Sequence, residues 1–385
     1  MASRSLSASR RGGVRSIVVD QKRELDTHSR AIALFPRTLE IFRSLGVVED
    51  LIVSGEQSSH LRLRRASDRK TLIDFDFGTY DPITQCNYLL AIPQNRTERV
   101  LFEHAQRNDR IELRMGCSFV RFEDDEAGGC VHVRLREGEG VESVVEARFL
   151  VGADGSHSSV RQQLGWELQG KTYATRAVLA DVEVSEEADT ADGWLAEPDR
   201  PSLLMSIRYA PRIWRLIEQG IPDTLTDAEL ADHARELTEV LFGEGAWRKT
   251  VWTSAYRKHE RVAPHFRSGR VLLAGDAAHL NSPAGGQGLN TGIRDWTCFS
   301  LVESGVVGDA PFELGGAGEA ERRVTASGIV EAIDVTGQRV DGLGSRLEGG
   351  APDQFALQRL EERLDHRVVK AIPLARHRNH DAMSS

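Results

Sequence analysis

The chain has 385 residues, 40% hydrophobic and 28% charged, a mixture that excludes whole-chain disorder and leaves room for two interlocked domains or one large α/β unit with an insertion. Its 49 Lys and Arg against 58 Asp and Glu give a formal charge of -9, which argues against broad binding to nucleic acid or an anionic membrane, and no apolar run approaches the roughly 20 residues that span a bilayer. Cys86, Cys117, Cys130 and Cys298 form no CxxC pair, so neither a zinc site nor a disulfide framework is expected, and the compartment reads as reducing, the cytoplasm.

Near the start, Arg4, Arg10, Arg11 and Arg15 among serines have the composition of a transit peptide, but the better reading is a helix tail, Leu6 to Arg11, feeding Gly12-Gly13 and a strand from Val14 to Val19 that ends in Asp20. Arg37 to Leu45 reads as a helix with Leu39, Phe42 and Leu45 on one face, closed by Gly46. Thr97 to Ala105 reads as another, with Thr97 as its cap. Strands are expected at Ile111 to Met115, Cys117 to Phe122, Val131 to Leu135 and Ala147 to Val151. Asp227 to Phe242 is an amphipathic helix, and Val271 to Ala274 is a short apolar strand of the kind buried on both faces of a parallel sheet. Ser300 to Gly350 is rich in glycine and reads as loops and weak helices, followed by a helix from Pro352 to Lys370 with Leu357, Leu360, Leu364 and Val368 at helical spacing.

Three segments carry chemistry. The strand Val271 to Ala274 runs into Gly275-Asp276-Ala277-Ala278-His279 and then Ser282-Pro283-Ala284-Gly285-Gly286-Gln287-Gly288-Leu289-Asn290. A buried strand ending in Gly-Asp turns tightly and leaves a carboxylate at the edge where open α/β sheets bind ligands, so Asp276 is placed to accept a hydrogen bond from a ligand hydroxyl. The glycine-rich run offers unobstructed N–H groups, and a helix beginning near Leu289 would turn its positive end to the same ligand. The second segment, Val151-Gly152-Ala153-Asp154-Gly155-Ser156-His157-Ser158-Ser159-Val160-Arg161, is another strand entering an acidic turn and a helix, in which Asp154 either holds a ligand or fixes the turn, and Arg161 faces phosphate or Asp154. The third is Asp20 at the end of its strand, the position from which dinucleotide-binding units hold a ribose, although no strand followed by GxGxxG precedes it.

Together these residues resemble the flavin-dependent aromatic hydroxylases, the p-hydroxybenzoate hydroxylase-like or phenol-monooxygenase-like group A FAD monooxygenases. The resemblance runs from about Gly13 to Asp295: Asp154 to Arg161 match the DGxxSxxR motif, Gly275 to Asp295 match the GD motif with GGQGLN intact, and Arg30-Ala31, Pro36 to Phe42 and Gln94 are also similar. It implies an α/β fold, an FAD-binding Rossmann-like domain of the glutathione-reductase type with an inserted β-sheet substrate domain. The FAD domain would be discontinuous, 1–62, 91–169 and 259–299, the substrate sheet 63–90 and 170–258 with Trp194 and Trp214, and 300–385 an irregular to helical C-terminal segment. By the same resemblance Asp20 would bind the adenosine ribose, Arg30 and Gln94 the phosphate and ribityl region, and Asp276 the ribityl chain. Gly275 belongs to the same turn as Asp276. Gly288, Leu289 and Asn290 would lie along the isoalloxazine, Pro283 would border its oxygen-reacting side, and Asp154 with Gly155 would bear on FAD and nicotinamide.

The implied reaction uses FAD, with NAD(P)H as a transient co-substrate and no second dinucleotide domain, to make a flavin hydroperoxide from dioxygen and hydroxylate a small phenolic or polyketide-like aromatic. The catalytic residues, the substrate and the oligomeric state stay open. Because the family's opening strand and GxGxxG find no match and Trp296 to Gly318 departs from the expected apolar helix, the chain is expected to be an N-terminally truncated member, through a shifted frame or misplaced start; the alternative function is a catalytically inactive fragment that binds FAD weakly or not at all. His279 and His157 are expected to bond to backbone rather than transfer protons, the twelve histidines show no paired metal spacing, so no metal is expected, and Trp247 and Trp252 read as core or pocket wall.

Overall fold

Two periodicities shape the protein: continuous apolar runs make short buried parallel strands, and alternating runs make a long antiparallel sheet. The computed structural model describes residues 15–303 except 28, 66, 67, 69, 81–83, 139, 187–193, 197–201, 222–224, 227 and 282–285. The expected helices at Leu6 to Arg11 and Pro352 to Lys370 lie outside these residues, as does Pro283. In chain order the elements are β1 (Ser16–Asp20), β2 (Ala33–Leu34), α1 (Pro36–Ser44), α2 (Val48–Val53), β3 (Glu56–Ser58), β4 (His60–Arg65), β5 (Thr71–Asp76), β6 (Leu89–Ala91), α3 (Gln94–Gln106), β7 (Ile111–Met115), β8 (Cys117–Asp125), β9 (Cys130–Glu137), β10 (Val141–Ala147), β11 (Leu150–Gly152), α4 (Ser159–Gln163), β12 (Gln169–Val184), β13 (Trp194–Ala196), β14 (Leu203–Ala210), β15 (Ile213–Ile221), α5 (Leu230–Phe242), β16 (Trp247–Val262), β17 (Arg267–Ser268), β18 (Val271–Leu273), β19 (His279–Leu280) and α6 (Gln287–Glu303).

Two parallel pairs carry the acidic turns. β1 pairs with β7, which places Asp20 opposite Met115, and β11 pairs with β18, which places Gly152 opposite Leu273. All three residues of β18 are buried, as expected for a strand covered on both faces. Around them, α1 lays Leu39 and Phe42 into a core shared with Leu51, Leu90, Leu101 and Leu289, so the start of α6 is packed against the first helix. Pro36 sits in the first turn of α1, where it removes no helical hydrogen bond, and Gly46 follows its end at φ +73°.

The second assembly is a five-stranded antiparallel sheet in the order β14-β15-β12-β16-β19. On one face Ala180, Val182, Val184, Leu204, Trp214 and Leu216 pack against Leu237, Leu241 and Phe242 of α5. The opposite face carries Leu179, Asp181, Met205, Ile207, Arg215 and Ile217, and it looks toward β2 and β6. Strand alternation therefore separates a helix-covered side from a side that faces the acidic turns.

The structure corrects several expectations. Ala147 to Val151 is two strands, because Ala147 ends an antiparallel hairpin with β9 whereas Leu150 begins the parallel pairing with β18. Thr97 is not a cap: α3 begins at Gln94 behind Pro93, and Thr97 is buried with its hydroxyl unpartnered. The amphipathic helix begins at Leu230, with Glu229 accepting from the backbone and hydroxyl of Thr226 just before it. α6 runs on to Glu303, where irregular chain was expected from Trp296.

Candidate functional site

The turn after β18 is built to hold a carboxylate outward. Gly275 takes φ +59°, and its N–H donates to Oδ2 of Asp295 on α6 at 2.8 Å. The same oxygen lies 3.0 Å from Nε2 of buried His279, so helix and turn are fastened by one buried pair. Burial pushes the His279 pKa down, but the bond to Asp295 and the charges of Asp295 and Asp276 outweigh it, so the net direction is upward. Asp276, half-buried between these residues, lines a groove of about 1270 Å³.

The turn after β11 is fixed by its own side chains. Asp154 Oδ2 accepts from the N–H groups of Ser159 (2.7 Å) and Val160 (3.2 Å), and Ser158 Oγ accepts from Arg161 N at 3.0 Å, which satisfies the open donors at the start of α4. Arg161 meets neither Asp154 nor open groove by hydrogen bond: its buried guanidinium donates to the carbonyl of Ala277 (2.9 Å) and to that of Ser156 (2.8 Å). One side chain thus ties the two motif turns together across 116 residues of sequence.

The third wall is the loop from Ser29 to Ala31. Gln94 N donates to Ser29 Oγ (2.7 Å) and to Ala31 O (3.0 Å), while its side chain accepts from Ala31 N (3.3 Å) and donates to Glu98 (2.8 Å). Arg30 O accepts from Arg215 Nη1 at 3.0 Å, and the Arg30 guanidinium lies 5.8 Å from the Tyr256 ring centre. Arg215 is itself buried and forks onto both oxygens of Asp181 at 2.7 Å. Burial pushes the Tyr256 phenol up to about 12, against the pull of Arg30 and Arg215, so it stays protonated at neutral pH.

Of the positions expected from sequence, Asp20, Arg30, Gln94, Asp276, Gly288 and Leu289 line the one groove. Asp154 and Gly155 stand behind it, and Ser156, His157 and Arg161 of the same turn form its wall. Gly275 and Asn290 are structural at their side-chain positions: Asn290 accepts from Phe35 N (3.0 Å) and donates to Ala33 O and Gly286 O (both 2.9 Å), stapling α6 to β2. The opposite wall is the free face of the large sheet, with Leu179, Met205, Ile207, Ile217, Trp252 and Tyr256.

Residues 1–332 match the family described as FAD binding domain. The chain belongs to this family, that of the flavin-dependent aromatic hydroxylases. It is 32% identical over 335 residues to the 12-dehydrotetracycline 5-monooxygenase/anhydrotetracycline 6-monooxygenase of Streptomyces rimosus, an alignment covering 83% of this chain and 64% of that protein. The chain thus spans somewhat under two thirds of that relative. Among solved structures, the anhydrotetracycline hydroxylase of Streptomyces rimosus superposes with TM-score 0.65 at 29% identity, over 96% of this chain and 70% of its own. The p-nitrophenol 4-monooxygenase of Pseudomonas putida shares the fold, with TM-score 0.71 at 21% identity over 96% and 92% of the two chains.

Against this family frame, sequence reasoning missed Asp181, Arg215, Tyr256 and the Asp295 partner of His279, which had been expected to bond to backbone. Only Asp295 left a trace, as the last residue of the GD segment. Asp181 and Arg215 lie on different strands, and nothing in their spacing announces a pair. Trp252 lines the groove as expected of a wall, whereas Trp247 donates to Thr250 Oγ1 at 3.1 Å.

Proposed function

We propose that the groove holds FAD and a small phenolic or polyketide-like aromatic, and that the protein is an NAD(P)H-dependent monooxygenase. The observation that carries this reading is the convergence of Asp20, Arg30, Asp276 and the start of α6 on one trough whose sheet wall carries an apolar patch, Leu179, Met205, Ile207, Ile217 and Trp252. At about 1270 Å³ the trough exceeds the roughly 300–1,000 Å³ of ordinary small-ligand sites, which suits a dinucleotide with a substrate beside it. A Cβ added at Gly288 would meet no atom within 4 Å, so this helix start leaves room for a flat group along its backbone.

In this arrangement Asp20 would accept from a ribose hydroxyl and Asp276 from the ribityl chain, while Arg30 would hold phosphate. The N–H groups at the start of α6 would favour negative charge on a bound flavin ring, through the polarity of the helix. Gln94 acts by holding the loop of Arg30, and Asp154 by holding the turn of Arg161. Bound flavin supplies the passage of electrons from nicotinamide to dioxygen and of one oxygen atom to the aromatic ring. Leu179, Met205, Ile207, Ile217 and Trp252 exclude water from the substrate, and the protonated Tyr256 phenol offers it a hydrogen bond. Arg257, Lys258 and Arg261 line the same groove, and their positive charge complements that of NAD(P)H. A flavin-holding part at 1–62, 91–169 and 259–299, with a substrate sheet at 63–90 and 170–258, is consistent with this division of walls. The thiols of Cys86, Cys117 and Cys130 are free, as suits the cytoplasm, and among the described residues no helix is long and apolar enough to cross a membrane.

The test is to mix the purified chain with FAD, record the visible spectrum after gel filtration, and then follow NAD(P)H oxidation and oxygen uptake with phenols and aromatic polyketides. Retained flavin and substrate-stimulated turnover are expected. A chain that retains no flavin from excess FAD refutes the reading and supports the inactive-fragment alternative instead.

A further inference from the structure

Away from the groove, the tip of the β8–β9 hairpin gathers three unlike donors. Asp125 ends β8 directly opposite Cys130, which begins β9, and His132 follows two residues later on the same face of the strand. Cys130 Sγ lies 3.6 Å from His132 Nε2, Asp125 Oδ2 lies 3.9 Å from that nitrogen, and all three donor atoms fall within 4.8 Å of one another. Asp125 Oδ1 is engaged by the N–H of Gly128 at 2.8 Å, and Gly129, at φ +72°, closes the turn. The carboxylate is therefore held by one oxygen with the other facing the imidazole.

The thiol and the imidazole stand at the distance of a sulfur hydrogen bond, which is also that of two ligands on one cation, whereas the carboxylate and the imidazole do not bond directly. A separation of 3.9 Å is too long for an N–H···O bond. Tetrahedral zinc with ordinary bond lengths to sulfur, nitrogen and oxygen sets sulfur and nitrogen about 3.5 Å apart and oxygen and nitrogen about 3.4 Å apart, so the thiol and imidazole already stand at ligand spacing and a turn of the partly exposed Asp125 side chain would bring in the carboxylate. Cys130 is only 9% exposed, a buried thiol directed at the imidazole, while His132 and Asp125 remain open to solvent from which a cation can enter. The surrounding charge is mixed. Glu146 stands opposite His132 on β10 and Glu123 opposite it on β8, the latter paired with Arg121 at 2.7 Å. Arg270 is nearby, with its guanidinium toward the carbonyl of Arg148 and the ring of Phe149.

We propose that Asp125, Cys130 and His132 form a site for a divalent transition metal of the zinc class, with water or Glu146 in the fourth position. One sulfur, one imidazole nitrogen and one carboxylate oxygen suit a borderline-soft cation and disfavour magnesium or calcium. Motif spacing does not reveal it, because the ligands are a Cys-x-His pair and an aspartate across a turn. Bound metal would clamp the hairpin tip and leave the groove untouched.

The experiment uses the full chain with FAD added, stripped of metal by chelator and titrated with zinc chloride by calorimetry. One zinc per chain is expected, with Kd of about 1 µM or tighter. Cys130→Ser and His132→Ala should each weaken binding by about tenfold or more, and zinc should protect Cys130, but not Cys86 or Cys117, from iodoacetamide by peptide mass mapping. His132 is partly exposed, so His132→Ala keeps the test valid if Cys130→Ser misfolds. Absence of binding at about 100 µM zinc, or equal binding by wild type and His132→Ala, overturns the proposal.

Discussion

Exchanging Arg215 for Met is the sharpest test of how the large sheet supports the groove. The guanidinium is 0% exposed, makes two bonds of 2.7 Å to Asp181, and donates a third to Arg30 O at 3.0 Å. Removing it strands the carboxylate of Asp181, itself 6% exposed, and a broken buried pair of this kind costs about 3–5 kcal/mol. Adding Asp181→Leu removes both charges; apolar replacement of a whole buried pair is about neutral, but Tyr209 also loses its bond to Asp181, worth about 1–3 kcal/mol. The double variant should therefore recover a large part of the stability lost by Arg215→Met. Both variants lose the bond to Arg30 O, so FAD affinity should fall by about tenfold or more in each, because a hydrogen bond from a charged donor is worth about 1.5–3 kcal/mol. Urea unfolding followed by tryptophan fluorescence and FAD titration by flavin fluorescence separate the two effects. A loss under about 1 kcal/mol in Arg215→Met, or a double variant less stable than it, would refute the reasoning.

Other expectations follow from individual contacts. Asn290→Ala orphans Phe35 N–H and two carbonyls, at about 1–3 kcal/mol for each buried group left unpaired, and should lower the urea midpoint accordingly. Asp276→Ala should weaken FAD by about 10- to 150-fold in equilibrium titration, the range for a charge-assisted hydrogen bond, and an unchanged affinity would remove Asp276 from the proposed site. Because the folded-state pKa of His279 is raised, its contribution to stability is full below the unfolded value of about 6.5 and is lost as pH rises through the folded value. As pH rises from the unfolded value through the raised folded one, the wild type should thus lose more stability than His279→Asn, and parallel pH profiles would contradict this. Gly170 has φ +135° and an added Cβ would sit 2.1 Å from Glu260 O, so Gly170→Ala should force β12 from β16 and cost about 2 kcal/mol or more in thermal unfolding.

Much was legible because the relevant physics is local. The apolar run Val271 to Leu273, the Gly-Asp turn after it and the proline-started helix at Pro36 each show in a few consecutive residues which conformation is favoured. The alternation of β12 and β15 is equally local, yet it says only that two faces exist. Boundaries were less legible where partners change: the hairpin ending at Ala147 and the parallel strand from Leu150 differ only in which strand each meets, and that is absent from a window of five residues. Asp154 shows the same limit, since a carboxylate in an acidic turn has the same sequence whether it points to a ligand or caps α4.

By itself, then, the amino-acid order determined the strand and helix types, the two acidic turns and the family motifs, since these depend on backbone preference and spacing within a dozen residues. Folding in three dimensions decided that Arg161 joins those turns, that Asp181 and Arg215 brace Arg30, that Asn290 staples α6 to β2, and that Asp125 meets Cys130 and His132. Each is a contact between side chains whose pairing depends on sheet register and strand crossing, quantities set by burial over the whole chain and invisible to any short stretch of it.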